Sequence, residues 1–273
     1  MTQEQFLKFS QKGNLVPVYH EVLADLETPV SAYFKMAYKA KYSFLLESVE
    51  GEEKVSRFSF LARDPEIVFE SKNNTVKISR FGRQKKVESR TLMKGQTPLT
   101  EIRELMRQYK FVTVPQLPRF CGGLVGYLSY DMVRFFEKLP SKTKDDLKLP
   151  AAFLMLAKMM VIFDHRKHTL TIVNCVHVPP GHSKAAKSKL YKKASQEIQN
   201  LLREIQAPLK TAHDKTRRKS DESLKLPVHS NFTKSGFEQS VREAKKQIQS
   251  GEIIQVVLSQ RFGVNLTIPT FNI

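Results

Sequence analysis

The sequence has little cysteine, no long apolar run and few acidic residues. Its two cysteines, Cys121 and Cys175, are too few for a disulfide framework or a cysteine-rich zinc site. No apolar run reaches the roughly 18–20 residues that a membrane-spanning helix needs. The first residues also lack the charged-then-apolar pattern of a secretory signal. These absences predict a soluble protein of the reducing cytoplasm with no membrane partner.

The overall composition is that of an ordinary globular protein. Hydrophobic residues make up 41% of the 273 residues and charged residues 26%. These fractions exclude a fully disordered chain, a collagen and a coiled coil. The length allows one large domain or two ordinary ones, with a sizeable core.

The scarcity of acidic residues gives the chain a strong positive charge. There are 27 Asp and Glu against 45 Lys and Arg, a formal net charge of +18. The excess is densest in residues 181–225, which hold 12 basic and 5 acidic residues. Such a charge is compatible with nucleic-acid binding, but single-strand sites interleave aromatic side chains that stack on bases. This segment has only Tyr191, so the pattern favours a basic surface or linker over nucleic acid.

Apolar spacing and turn residues predict an α+β fold in which antiparallel sheets pack with helices. Helices are predicted at residues 3–9, 29–38, 98–109 and 183–205. Strand-like segments are predicted at residues 42–46 (buried), 55–61, 66–70, 75–79, 122–136, 153–163 and 169–177. The last two are predicted to form one long hairpin, its first arm buried and its second alternating.

The organisation of the chain is predicted to change near residue 207. Residues 207–225 are polar and without periodicity, which is typical of a linker. We therefore divide the chain into an N-terminal domain, residues 1–225, and a second domain that begins at 226 and runs to 273. The second segment alone is shorter than what usually supports a core. We accordingly expect it to be the truncated start of a larger domain.

The second segment is predicted to form a helix and then a central strand. Ser235 and Glu238 have the spacing of a capping box, and Gly251 has the position of a helix end. An apolar stripe of core residues is expected along the helix at Phe237, Val241, Ala244 and Ile248. Residues 253–258 then have the composition of a buried strand.

Two motifs that suggest a nucleotide-binding loop and a metal site have simpler structural explanations. Residues 122–126, GGLVG, lack the spacing of a nucleotide-binding loop, and a strand that packs closely against another backbone explains them better. His165 and His168 lie in a predicted hairpin turn, and a metal site needs more converging ligands. Neither motif identifies a reaction.

A first candidate site is the polar pair Glu47 and Ser48 at the end of an apolar strand, with Arg57 shortly after. A carboxylate beside apolar walls suits an ammonium group on an apolar body, as in an amino acid. The alternative is a structural ion pair between Glu47 and Arg57.

A second candidate is the odd-numbered set Gln255, Ser259 and Arg261, which would share one face of the predicted strand. The alternative is the polar face of an ordinary half-buried strand. The residues alone leave both alternatives open.

Several segments, in order along the chain, resemble component I of anthranilate synthase, within the chorismate-utilising enzymes. They are residues 16–19 (VPVY), 27–33 (ETPVSAY), 42–51 (YSFLLESVEG), 57–60 (RFSF), 122–131 (GGLVGYLSYD), 163–165 (FDH), 231–233 (NFT) and 251–262 (GEIIQVVLSQRF). The resemblance implies conversion of chorismate and ammonia to anthranilate and pyruvate with Mg²⁺, in tryptophan biosynthesis. It also implies that a partner glutamine amidotransferase, component II, supplies the ammonia. Feedback inhibition by tryptophan is implied at Glu47 and Ser48, with Arg57 in the same segment.

The resemblance gives Gln255 a chemical meaning. In relatives that add water to chorismate, this position is a lysine that acts as a base. A glutamine amide has no basic nitrogen near neutral pH, and ammonia is already a nucleophile. Gln255 therefore favours an ammonia-using member, either anthranilate synthase or aminodeoxychorismate synthase.

The chain departs from the family pattern in three ways. Family members are about twice as long, and the glutamates that bind Mg²⁺ in the family are missing. Glu252 and Ile254 stand where the family usually has Asp and Phe. We therefore expect an enzyme fragment that is inactive alone, with no metal ligand in this chain. The alternative is a non-catalytic tryptophan-binding or scaffold module.

Overall fold

The structure is a computed structural model that describes residues 1–47, 57–82, 84–140, 144–209, 227–266 and 271. The chain divides into two compact units, Met1–Lys210 and Thr211–Ile273. In the described ranges the helices are α1 (Gln3–Phe9), α2 (Pro29–Met36), α3 (Pro98–Arg107), α4 (Lys184–Gln206) and α5 (Lys234–Gln249), with a 3₁₀ helix at Tyr130–Phe135. The strands are β1 (Leu15–Leu23), β2 (Ser43–Leu46), β3 (Phe58–Arg63), β4 (Ile67–Lys72), β5 (Thr75–Arg80), β6 (Lys86–Thr91), β7 (Gly123–Leu128), β8 (Ala152–Ala157), β9 (Met159–Asp164), β10 (Thr169–His177), β11 (Val228–Ser230) and β12 (Phe262–Val264).

The first unit is a four-layer stack of helices, two antiparallel sheets and further helices. The first sheet has the strand order β1-β10-β9-β3-β2, and the second has β6-β5-β4-β8-β7. α4 covers the outer face of the first sheet with Ala194, Ile198 and Leu201, while α3 covers the second sheet with Leu105. A third apolar layer, which includes Met160, lies between the sheets. The α+β class predicted from the sequence is thus confirmed.

Local sequence explains where the helices begin. Thr28 and Thr97 each precede a proline, and each side chain accepts a hydrogen bond from the backbone N–H of the third helical residue. Proline is favoured at the first helical position because its missing N–H has no partner there in any helix. All four helices predicted in the first unit are present, as is the β4–β5 hairpin turning at Asn73, which has the left-handed φ of 51°.

The long predicted hairpin arm, residues 153–163, is in fact two strands in two different sheets. β8 belongs to the second sheet and β9 to the first, and Lys158 lies between them. The backbone N–H of Cys175 donates to the carbonyl oxygen of Lys158 at 2.8 Å. One continuous stretch of backbone therefore joins the two sheets, which an unbroken apolar run does not reveal.

Three other strand predictions were wrong in detail. β10 is buried along its centre rather than alternating, because helices cover one face and the second sheet covers the other. β2 lies at an edge, and in it only Phe44 is buried. Residues 130–135, predicted as strand-like, form the 3₁₀ helix.

The two cysteines are free and buried. The thiol of Cys175 donates to the carbonyl oxygen of Cys121 at 3.4 Å. Burial raises the pKa of the Cys121 thiol to about 11 and also raises the pKa of Cys175. Both thiols therefore stay protonated near neutral pH, as expected of structural cysteines.

The second unit contains α5 and the short antiparallel pair β11–β12. The helix is capped by Thr233, whose side chain accepts from the N–H of Gly236, and not by the predicted Ser235. Gly251 ends it with a φ of 81°, as predicted. None of the described α5 residues is buried, so the expected core stripe lies on an uncovered face.

Residues 253–258 form no strand. In the described part of the chain no strand runs beside them, and backbone groups without a neighbouring ladder cannot form a sheet. The prediction of a central strand is therefore wrong for this structure.

Candidate functional site

The first candidate site lies at one end of the first sheet. Glu47 follows the last residue of β2, where Leu46 pairs with Phe60 of β3. The Glu47 side chain is exposed, and within the described residues it forms no ion pair. Ser48, the second predicted residue, lies outside the described residues. The structure thus presents an accessible carboxylate at the end of the edge strand.

Arg57 is engaged elsewhere, by a carboxylate that is distant in sequence. Its Nε donates to Oδ1 of Asp164 at 3.0 Å and its Nη2 donates to Oδ2 at 2.6 Å. The guanidinium also lies over the ring of Phe58, 4.7 Å from the centroid. Such a two-point pair fixes both side chains. The alternative in which Glu47 pairs with Arg57 is therefore wrong.

Asp164 collects further hydrogen bonds from its own turn. The backbone N–H groups of Arg166 and Lys167 donate to Oδ1 at 3.1 and 3.2 Å. Burial raises the pKa of the Asp164 carboxyl, but the hydrogen bonds from Arg57 and the two amides outweigh burial and hold the pKa below its ordinary value. The pair therefore stabilises the fold while Asp164 is ionised, and this contribution is lost as the pH falls through the lowered pKa.

A second polar contact reinforces the same sheet end. The buried Ser59 hydroxyl and Nε2 of His165 are 2.7 Å apart. The backbone N–H of His165 also donates to the carbonyl oxygen of Arg57 at 2.9 Å. His165 is thus a hydrogen-bonded turn residue that belongs to the site's framework.

Aromatic side chains line the neighbouring surface of β3. Phe60 packs edge-to-face on Phe120 with 5.1 Å between ring centroids, and Phe58 lies 6.0 Å from Phe60. Leu46 is 44% exposed. Glu47 therefore follows directly on a strand end whose last residue, Leu46, keeps part of its apolar side chain open. This combination suits a ligand with an ammonium group and an apolar body.

Sequence reasoning found Glu47 and Arg57 but missed three framework residues. Ser59, Asp164 and His165 are brought to Arg57 by the pairing of β3 with β9, in which Phe58 is opposite Asp164. Asp164 and His165 belong to residues 163–165, one of the segments that resemble the family, and this resemblance is the sequence feature that could have pointed to them. Their pairing with residues about a hundred positions away depends on sheet register.

The second candidate site is open in this structure. Gln255 and Ser259 are exposed, and neither lies in a strand. The backbone of Arg261 is hydrogen-bonded to Asn231: its N–H donates to the side-chain Oδ1 at 2.8 Å, and its carbonyl oxygen accepts from the Asn231 N–H at 3.2 Å. The shared strand face predicted for Gln255, Ser259 and Arg261 is therefore not formed. The role of Gln255 stays a prediction.

Two further observations concern metal ions and membrane-spanning helices. In the described ranges, no three His, Cys, Asp or Glu side chains come close enough to hold a metal ion. The side chains of the described residues thus do not fit the Mg²⁺ that the resemblance implies. No helix of the described residues is long and apolar enough to cross a membrane.

The sequence identifies the family. Residues 64–273 match the family model of the chorismate binding enzymes, and the chain belongs to this family. It is 38% identical over 262 residues to anthranilate synthase component 1 of Acetivibrio thermocellus, covering 95% of this chain and 50% of that protein. It is 32% identical over 262 residues to anthranilate synthase component 1 of Aquifex aeolicus, covering 96% of this chain and 50% of that one.

A solved structure supports the fold. The crystal structure of anthranilate synthase component I from Streptococcus pneumoniae TIGR4 superposes with a TM-score of 0.55 at 23% identity. The match covers 92% of this chain and 50% of that chain. The chain spans about half the length of the curated relatives it matches.

Proposed function

We propose that these 273 residues are the N-terminal half of an anthranilate synthase component I. The observation that carries the proposal is the similarity of nearly the whole chain to half of enzymes with that name. The complete enzyme would convert chorismate and ammonia to anthranilate and pyruvate in tryptophan biosynthesis, with Mg²⁺ bound by residues beyond this half. A partner glutamine amidotransferase, component II, would supply the ammonia. The cytoplasm is the proposed location.

Gln255 is proposed to face the reacting chorismate once the second unit is complete. Its amide has no basic nitrogen near neutral pH, so it cannot activate water as a lysine could. Ammonia needs no such activation. The chemistry at this position therefore favours amination over hydration.

The reaction is tested with a fused polypeptide, residues 1–273 followed by the second half of the Acetivibrio thermocellus relative. We expect anthranilate from chorismate, ammonia and Mg²⁺, identified by mass and retention time. A Gln255→Lys variant should form anthranilate at least about tenfold more slowly, because a cation replaces a neutral amide beside the nucleophile. The matched control is Gln247→Lys, on the exposed face of α5.

The products decide between the alternatives. Aminodeoxychorismate as the product would assign the chain to that synthase. A non-catalytic tryptophan-binding module is the second candidate, because Glu47, Arg57 and Asp164 all lie within the first unit. A folded fusion that binds tryptophan and yields no product would support this second candidate. Equal rates for the two lysine variants would contradict the role of Gln255.

Feedback by tryptophan is proposed at the sheet end that carries Glu47. The exposed carboxylate would accept hydrogen bonds from the ammonium group of tryptophan, and the hydroxyl of Ser48 would offer a further hydrogen bond to the ligand. Arg57 is held by Asp164, so its proposed part is to position the strand end rather than to bind the ligand's carboxylate.

A melting-temperature scan with tryptophan tests this site in the 273-residue chain. At a tenfold excess over Kd, binding to the native state adds about 1.4 kcal/mol, which for this size raises Tm by about 3–5 °C. Glu47→Gln should remove most of the shift, whereas the control Glu4→Gln, at an exposed position of α1, should retain it. No shift at millimolar tryptophan would show that these residues alone do not form the site.

A further inference from the structure

A cleft of about 360 Å³ lies in the first unit, away from the sheet end that carries Glu47. Its walls come from the loop between α1 and β1, from the segment after α3, and from the segment that leads out of β10 into the first turn of α4. Three lysines line it, one from each side: Lys12, Lys110 and Lys187. None of the residues that line it in the described structure is acidic.

The three lysines carry uncompensated charge. Within the described residues, none of them has a carboxylate within 4.0 Å, although ion pairs engage many other basic side chains. The ammonium group of Lys12 lies over the ring of Phe9, 5.7 Å from the centroid. Like charges gathered around one cleft repel each other and raise its positive potential. A bound anion would relieve that repulsion.

Asn14 fixes the walls relative to one another. Its Oδ1 accepts from the N–H of Lys110 and its Nδ2 donates to the carbonyl oxygen of Gln108 at 2.7 Å. Its backbone carbonyl accepts from the N–H of Val178, also at 2.7 Å. One side chain and its backbone thus join all three segments. Lys12 and Lys110 therefore project from connected segments rather than from independent loops, and Lys187 projects from α4, which follows the third segment.

Gly13 brings the loop unusually close to the neighbouring segment. A Cβ atom at this position would lie 2.4 Å from the carbonyl oxygen of Lys110 and 2.8 Å from Cγ2 of Val112. Only glycine therefore allows Lys12 and Lys110 to be held on adjoining walls. The close approach is an independent sign that the cleft has a defined shape.

We propose that this cleft binds the phosphate group of a small anion. Lysine binds phosphate as a point charge, whereas arginine is the side chain suited to the planar, two-point recognition of carboxylates. The described lining has three lysines and no arginine, and separate walls suit the several oxygens of a tetrahedral group. Lys187, one of the basic residues concentrated in residues 181–225, would thus contribute to binding this phosphate group.

Isothermal titration of the 273-residue chain with pyrophosphate, and separately with inorganic phosphate, tests the site at low and fixed ionic strength. We expect one saturable site. Each of Lys12→Gln, Lys110→Gln and Lys187→Gln should weaken binding about threefold to tenfold, and the triple variant should abolish it. The matched control is the double variant Lys189→Gln and Lys192→Gln, which removes two exposed charges of α4 that do not line the cleft.

The control decides between a built site and diffuse attraction. If the control variant loses as much affinity per charge as the cleft variants, the binding is non-specific electrostatics and the proposal is overturned. Absence of saturable binding by either anion overturns it as well. A preference for a short oligonucleotide over pyrophosphate that survives the triple variant would indicate nucleic acid bound elsewhere, and would also overturn it.

Discussion

A Gly126→Ala variant is expected to lose at least about 3 kcal/mol of unfolding free energy. Gly126 lies in β7 beside β8, and a Cβ atom there would lie 1.9 Å from the carbonyl oxygen of Phe153 and 2.9 Å from Cα of Leu154. Both are backbone atoms, so no side chain can move aside. The strands would have to separate, which breaks their ladder of hydrogen bonds.

Gly123→Ala is the matched control in the same strand. Gly123 also has a positive φ, +132°, but a Cβ atom there would have no atom of the described residues within 4 Å beyond its chain neighbours. The substitution should therefore cost only the backbone strain, about 1–3 kcal/mol, without the clash that Gly126→Ala adds to its own strain. Urea unfolding monitored by circular dichroism measures both values. Equal losses for the two variants would show that the close approach at Gly126 is not what requires glycine.

The 273-residue chain alone is expected to form no detectable anthranilate from chorismate, ammonia and Mg²⁺. Catalysis of this kind needs a closed site that excludes water and fixes the reactants. Gln255 is exposed here, and no described residue of α5 is buried. The chain also spans half the length of its relatives. The second unit therefore presents the candidate residue without the walls that a site requires.

The same assay as for the fused polypeptide measures this difference, with both proteins at equal concentration. The fusion is the positive control and a heat-treated sample gives the background. Turnover by the 273-residue chain above that background would contradict the proposal that it is a half of the enzyme. Restoration of activity when the second half is added as a separate polypeptide would support it.

Sequence patterns were most informative where structure depends on neighbouring residues. The threonine–proline pairs at Thr28 and Thr97 mark helix starts because capping is local. The turn at Asn73 follows from the same kind of local preference. The boundary at Lys158 could not be predicted, since both strands it separates are apolar and only their partners distinguish them.

In the candidate site too, features set by neighbouring residues were predictable and features set by distant partners were not. Glu47 was identified because a carboxylate at the end of an apolar strand is visible in the sequence. The partner of Arg57 was not, because Asp164 reaches it only through the register of β3 with β9. The strand predicted at residues 253–258 is absent because it lacks a partner within the described part of the chain, and not because of its own composition. Its composition is that of a strand, but a strand forms only beside a partner, and none runs beside it in the described residues.

The single backbone that passes from β8 through Lys158 into β9 has a consequence for how the first unit unfolds. The pairing register of a strand decides which side chains face the core. Because one residue separates β8 from β9, a shift of β8 against its partner strands in the second sheet would also displace β9 against its partners in the first sheet. We therefore expect the two sheets to lose their structure in one cooperative transition.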